Sequence, residues 1–101
     1  MRMMLDVTMP HEPFNTLVRQ GVVGQKIAAV LEAIKPEAVY FGEHEGQRGC
    51  FMVVDLADVS KLPSIAEPLF LAFNATIKFY PVMTPADLQK AGLDAIGKKW
   101  A

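Results

Sequence analysis

Four side chains interrupt two otherwise apolar alternating runs, and they are the first candidates for chemistry. Asp6 and Thr8 fall on the polar beat of Met3-Met4-Leu5-Asp6-Val7-Thr8-Met9, and Lys78 and Tyr80 on that of Thr76-Ile77-Lys78-Phe79-Tyr80. If the two runs are neighbouring strands, a carboxylate and an ammonium meet on one sheet face. There they either flank a small polar ligand or form a buried ion pair that fixes the register of an assembly. Tyr40 and Arg48, on a hairpin, extend the set towards an apolar cavity with a few polar handles, so the candidate ligand-binding residues are Asp6, Thr8, Tyr40, Arg48, Lys78 and Tyr80.

Proton transfer has two candidates, His11 and Asp6. His11 lies where the first strand meets the first helix, and a histidine there either shuttles protons near neutral pH or simply caps the helix in water. His44, between Glu43 and Glu45, reads as part of a solvated turn. Two distant histidines without HxH or HExxH spacing predict no metal site, and the sequence implies no cofactor. Cys50 has no adjacent base and reads as a small core residue; Ser60 and Ser64 belong to helix starts rather than to a nucleophile elbow.

The elements that must position these groups fit in one domain over residues 1–101. The chain is 51% hydrophobic and 21% charged, enough apolar surface to offset the entropy of folding. Ten basic against eleven acidic side chains leave a net charge of -1, which argues against nucleic acid or an anionic membrane surface as partner. No run approaches a membrane span, Asp6 and Pro10 interrupt any signal-peptide core, and a lone cysteine suits a reducing compartment; the expected location is cytoplasmic.

Arg2 to Met9 alternates as a first strand. Pro10 and Pro13 open a helical region that bends near Gly21 and Gly24, resumes at Gln25 and is stopped by Pro36. Ala38 to Phe41 reads as a second strand, 42–47 as a polar turn, and Arg48 to Leu56 as a third strand. Asp58 and Ser60 offer N-caps to a helix with the stripe Leu62, Ile65, Ala66, Leu69, Phe70 and Phe73, kinked at Pro68 and ended at Asn74. Ala75 to Met83 reads as a fourth strand, placed at an edge by Pro81. Thr84-Pro85-Ala86-Asp87 starts a helical extension over residues 84–101, in which Leu93, Ile96 and Trp100 recur at helical spacing.

This order is the α+β, ferredoxin-like βαββαβ arrangement, with helices on one face of an antiparallel sheet. In the third strand, however, Cys50-Phe51-Met52-Val53-Val54 is apolar at every position, so both sheet faces need cover. The expected cover is a second copy of the chain, packed sheet to sheet as a homodimer.

The order of elements and the doubly apolar strand resemble the dimeric α+β barrel superfamily. Within it, Pro36-Glu37-Ala38-Val39-Tyr40-Phe41, Glu67-Pro68-Leu69-Phe70-Leu71-Ala72-Phe73-Asn74-Ala75 and Met83-Thr84-Pro85-Ala86-Asp87-Leu88 resemble a family of small bacterial proteins of unknown function. The resemblance covers roughly residues 36–88 and implies a barrel shared by two subunits. Members of the superfamily include muconolactone-type isomerases, cofactor-independent monooxygenases and haem-degrading enzymes, but no catalytic motif transfers residue by residue. Two functions follow as expectations. One is a homodimeric module that binds a small organic molecule or another protein. The other is a small cofactor-independent isomerase or monooxygenase acting on an aromatic or lactone-like substrate.

Overall fold

The strict alternation of Arg2–Met9 produces a strand, β1, whose Met3, Leu5, Val7 and Met9 are buried while the residues between them stay half-exposed. A computed structural model describes all of residues 1–101. β1 lies inside a four-stranded antiparallel sheet with β2 (Ala38–His44), β3 (Gln47–Asp55) and β4 (Thr76–Pro81), in the order β2-β3-β1-β4. Cross-strand pairing puts Leu5 beside Met52 and Phe79, and Val7 beside Cys50 and Ile77, so one sheet face is continuously apolar.

Three helices cover that face: α1 (His11–Arg19), α2 (Val23–Ile34) and α3 (Leu62–Phe73), the last preceded by a 3-10 turn over Val59–Lys61. The break between α1 and α2 falls at Gly21, whose φ of 72° ends the first helix in the left-handed region. Asp58 caps the 3-10 turn by accepting from Ser60 N, and Asn74, at φ 52°, ends α3. Phe14 from α1 and Phe73 from α3 meet at 5.4 Å between ring centroids, above Leu5 and Val7, which are fully excluded from solvent.

The ferredoxin-like α+β topology is present, but the expected barrel is not. β2 and β4 are the outer strands of an open sheet and pair with nothing beyond β3 and β1. The sheet is open and uncurled, with both outer edges free, so the expected shared barrel is not formed. The face opposite the helices is therefore open, carrying Tyr40, Phe51, Val53, Met4 and Tyr80 among its polar residues.

After β4 the chain forms α4 (Pro85–Lys90) and α5 (Leu93–Lys99), neither of which buries a residue. They draw the molecule out to 60 × 28 × 18 Å, with a radius of gyration of 17.1 Å against about 13 Å for a compact chain of this length. The accessible surface is 6947 Å² for 11.1 kDa; a compact monomer of that mass exposes about 5,700 Å².

Candidate functional site

The functional groups of the open face come from alternation and register. Across the middle of the sheet, β2, β3, β1 and β4 contribute Tyr40, Phe51, Asp6 and Lys78 as one row, because Tyr40 pairs with Phe51, Phe51 with Asp6, and Asp6 with Lys78. The next row towards the hairpin is Gly42, Gly49, Thr8 and Thr76, and the row on the other side is Ala38, Val53, Met4 and Tyr80. Five of the six sequence-derived ligand candidates, Asp6, Thr8, Tyr40, Lys78 and Tyr80, thus share this face.

Arg48 does not share it. It pairs with Met9, which points into the helix layer, and its guanidinium donates to Asn15 Oδ1 at 2.8 Å and lies 4.5 Å from the centre of the Phe14 ring. The expected grouping of Arg48 with Asp6 fails on strand parity: Arg48 is an odd number of residues from Phe51, so it points to the opposite face. Instead it lines a polar cleft of about 170 Å³ with His11, Glu43, Gly46 and Gln47. His11 is exposed there, far in register from Asp6.

The residue that sequence reasoning missed is His44. β2 continues three residues beyond the expected Phe41, and the turn is only Glu45-Gly46, with φ of 56° and 76°. Two successive positive φ values make the tight hairpin turn that matches strand twist. His44 is therefore a strand residue on the open face, not part of a solvated loop. Its ring lies back across β3 to reach β1, stacking on Phe51 at 5.4 Å and 29°.

That path exists because residue 49 is glycine. A Cβ on Gly49 would stand 2.2 Å from His44 Cε1, 2.5 Å from Nε2 and 2.5 Å from the Val7 carbonyl oxygen. The imidazole occupies the space a side chain would fill.

His44 Nε2 sits 3.0 Å from Val7 O and 3.0 Å from Asp6 Oδ1. Both neighbours are acceptors, so Nε2 must carry the hydrogen, and Nδ1 is the basic nitrogen of the neutral ring. One N–H serves only one acceptor well; it is directed to Val7 O, and Asp6 Oδ1 is left buried without a hydrogen-bond donor despite the ion-pair distance. No hydrogen bond within the chain engages Nδ1. Lys78, opposite Asp6 in register, makes no ion pair with it, so the expected Asp6–Lys78 bridge is replaced by the Asp6–His44 contact.

Beneath the site, on the helix side, Cys50 is buried. Burial first and the Asp6 charge second push its thiol from the ordinary 9.0 up to about 11, which makes it a poor nucleophile at neutral pH. No group of three or more His, Cys, Asp or Glu side chains is arranged to hold a metal ion. No helix is long and apolar enough to cross a membrane.

No family model and no curated protein matches the chain. Among solved structures it is similar to the 5-chloro-2-hydroxyhydroquinone dehydrochlorinase of Burkholderia phenoliruptrix in complex with 2,5-dihydroxybenzoquinone, at 17% identity and a TM-score of 0.57, over 85% of this chain and 97% of that one. At that identity the likeness establishes a shared fold. The expected resemblance to a family of small bacterial proteins is supported by no family model, and the neighbour shares the fold alone.

Proposed function

We propose that the open sheet face binds a hydroxylated aromatic ring and that His44 moves a proton on it, as a small cofactor-independent isomerase. The observation that carries this reading is the posture of the imidazole: Nε2 anchored between Val7 O and Asp6 Oδ1, Nδ1 free. In the reaction, Nδ1 takes the proton of a ring hydroxyl, the oxygen's electron pair forms a C=O bond, and a ring carbon receives the proton in return. Atoms and charge balance without a further reactant. Asp6 steadies the imidazolium that forms, and Lys78 faces the oxygen where negative charge develops.

The rest of the face fits a flat, partly apolar ligand. Phe51, Tyr40 and Tyr80 supply aromatic surface on which such a ring can lie. The neighbouring fold's complex with a dihydroxybenzoquinone supports the same ligand class. A second copy of the chain, packed face to face on the open sheet, is the natural wall for such a site. The buried thiol of Cys50 fits a reducing, cytoplasmic setting.

The test is solvent-deuterium incorporation into trihydroxybenzene rings, followed by proton NMR. Wild type is expected to accelerate exchange at ring carbon, and His44→Ala to lose about 100-fold or more of that acceleration. Exchange that is absent, or equally fast in His44→Ala, overturns the reading.

A further inference from the structure

Residues 84–101 are built as ordered structure that their own chain does not use. Thr84 Oγ1 accepts from Asp87 N at 3.1 Å and Asp87 Oδ2 accepts from Thr84 N at 3.0 Å, a reciprocal cap at the start of α4. Gly92, at φ 71°, lets the chain turn into α5. Yet every residue from Pro85 to Ala101 is exposed, including Leu88, Leu93 and Ile96, and Trp100 at 77%. Helices of six and seven residues do not persist alone in water; their order has to come from packing an apolar stripe against something. Leu93, Ile96 and Trp100 form such a stripe, at spacings of three and four.

We infer that this arm is an interchain clasp, seated on a second copy of this chain at the margin of its open sheet face. Each chain carries both halves of the contact: an apolar stripe with nothing of its own chain beneath it, and an open sheet face whose Tyr40, Phe51, Val53, Met4 and Tyr80 have no element above them. Exchange between two copies satisfies both at once and closes the assembly. The charges agree with this partner. Lys98 and Lys99 end the arm, Glu43 and Glu45 flank the hairpin tip, and none of the four forms an ion pair within its own chain. β4 delivers the arm at the Met3 end of β1, whereas the hairpin stands at the Met9 end. A two-fold axis lying between the sheets and running across the strands brings one chain's basic arm to the end of the other's sheet where the acidic hairpin stands, entering from the β4 edge.

The clasp rests on the face-to-face pair proposed above, and full-length variants separate the two. Trp100 is the single tryptophan, so its emission reports the arm alone. The expected result is short-wavelength emission in the associated protein that shifts red on dilution, in step with dissociation seen by sedimentation. Ile96→Asp and Lys98→Glu/Lys99→Glu should each weaken association by about tenfold or more with unchanged circular dichroism, and Glu43→Lys/Glu45→Lys should restore part of the loss in the charge-reversed arm. Phe51→Asp reports the sheet face. Dissociation by Phe51→Asp with no effect of Ile96→Asp, or water-exposed Trp100 in an associated protein, leaves the pair standing and overturns the clasp. A wild type that is monomeric at every concentration overturns both.

Discussion

The two faces of one sheet solve different problems with adjacent residues of the same strands. Towards the helices, Leu5, Val7, Cys50 and Met52 are almost fully excluded from water and packed against Phe14, Leu69 and Phe73. On the open side, Asp6, Thr8, Gly49 and Phe51 stand one residue away in sequence and hold a polar contact reaching from the end of β2 across β3 to β1. The first face is held by volume, where many side chains of similar size would serve. The second depends on single atoms, because a glycine must be absent of Cβ for one imidazole to reach one carbonyl oxygen.

Substitutions sharpen that contrast. The largest expected effect on stability is Phe73→Ala, which leaves a cavity under the helix layer and should cost about 3–5 kcal/mol in denaturant unfolding. A loss below about 1 kcal/mol would mean that this face is not the cohesive one.

Next is the thiol at the interface of the two layers. Cys50 is held protonated to about 11 from an ordinary 9.0, so the folded state keeps a proton that the unfolded state releases. The associated stability is fully present below about pH 9 and is lost as pH rises towards 11, by about 2–3 kcal/mol at most. Cys50→Ala should flatten the alkaline limb of the stability–pH curve; a limb unchanged in the variant would rule the thiol out as its source.

Gly49→Ala should cost about 1–3 kcal/mol, since the added methyl and the imidazole claim the same space. It should also remove the proposed acceleration of ring-proton exchange by expelling His44. Retention of both would mean that His44 does not lie across β3. The smallest effect belongs to Phe51→Ser at concentrations where the chain is monomeric: within about 0.5–1 kcal/mol, because nearly half of that side chain already meets solvent.

The same contrast governs what could be read from sequence. Hydrophobic period located β1 to the residue, the α3 stripe and its Asn74 cap, and the Thr84-Pro85 start of α4, since each is a local pattern with a local cause. Period also implied the parity that puts Asp6, Thr8, Lys78 and Tyr80 on one face. It misplaced Arg48, whose parity relative to Phe51 was available but was outweighed by the expectation that polar hairpin residues converge. It missed His44 because 42–47 is polar throughout, and polarity alone does not separate a six-residue loop from a two-residue turn. The positive φ of both Glu45 and Gly46 makes that distinction. The legible signal was the pair Gly42 and Gly49, which leaves room over the sheet beside the one histidine near enough to use it. Closure into a barrel was over-read: a doubly apolar strand suggests cover on both faces but carries no information about curvature, and the sheet is open with free β2 and β4 edges.

The protonation of a single ring tests the central claim most directly. Nitrogen-15 NMR of the imidazoles should show the hydrogen of the neutral His44 ring held on Nε2, as its contacts with Val7 O and Asp6 Oδ1 require. A His44 that carries its hydrogen on Nδ1, or that exchanges it freely between the two nitrogens, would mean that Val7 O and Asp6 do not hold the ring, and the proposed proton-transfer site would lose its base.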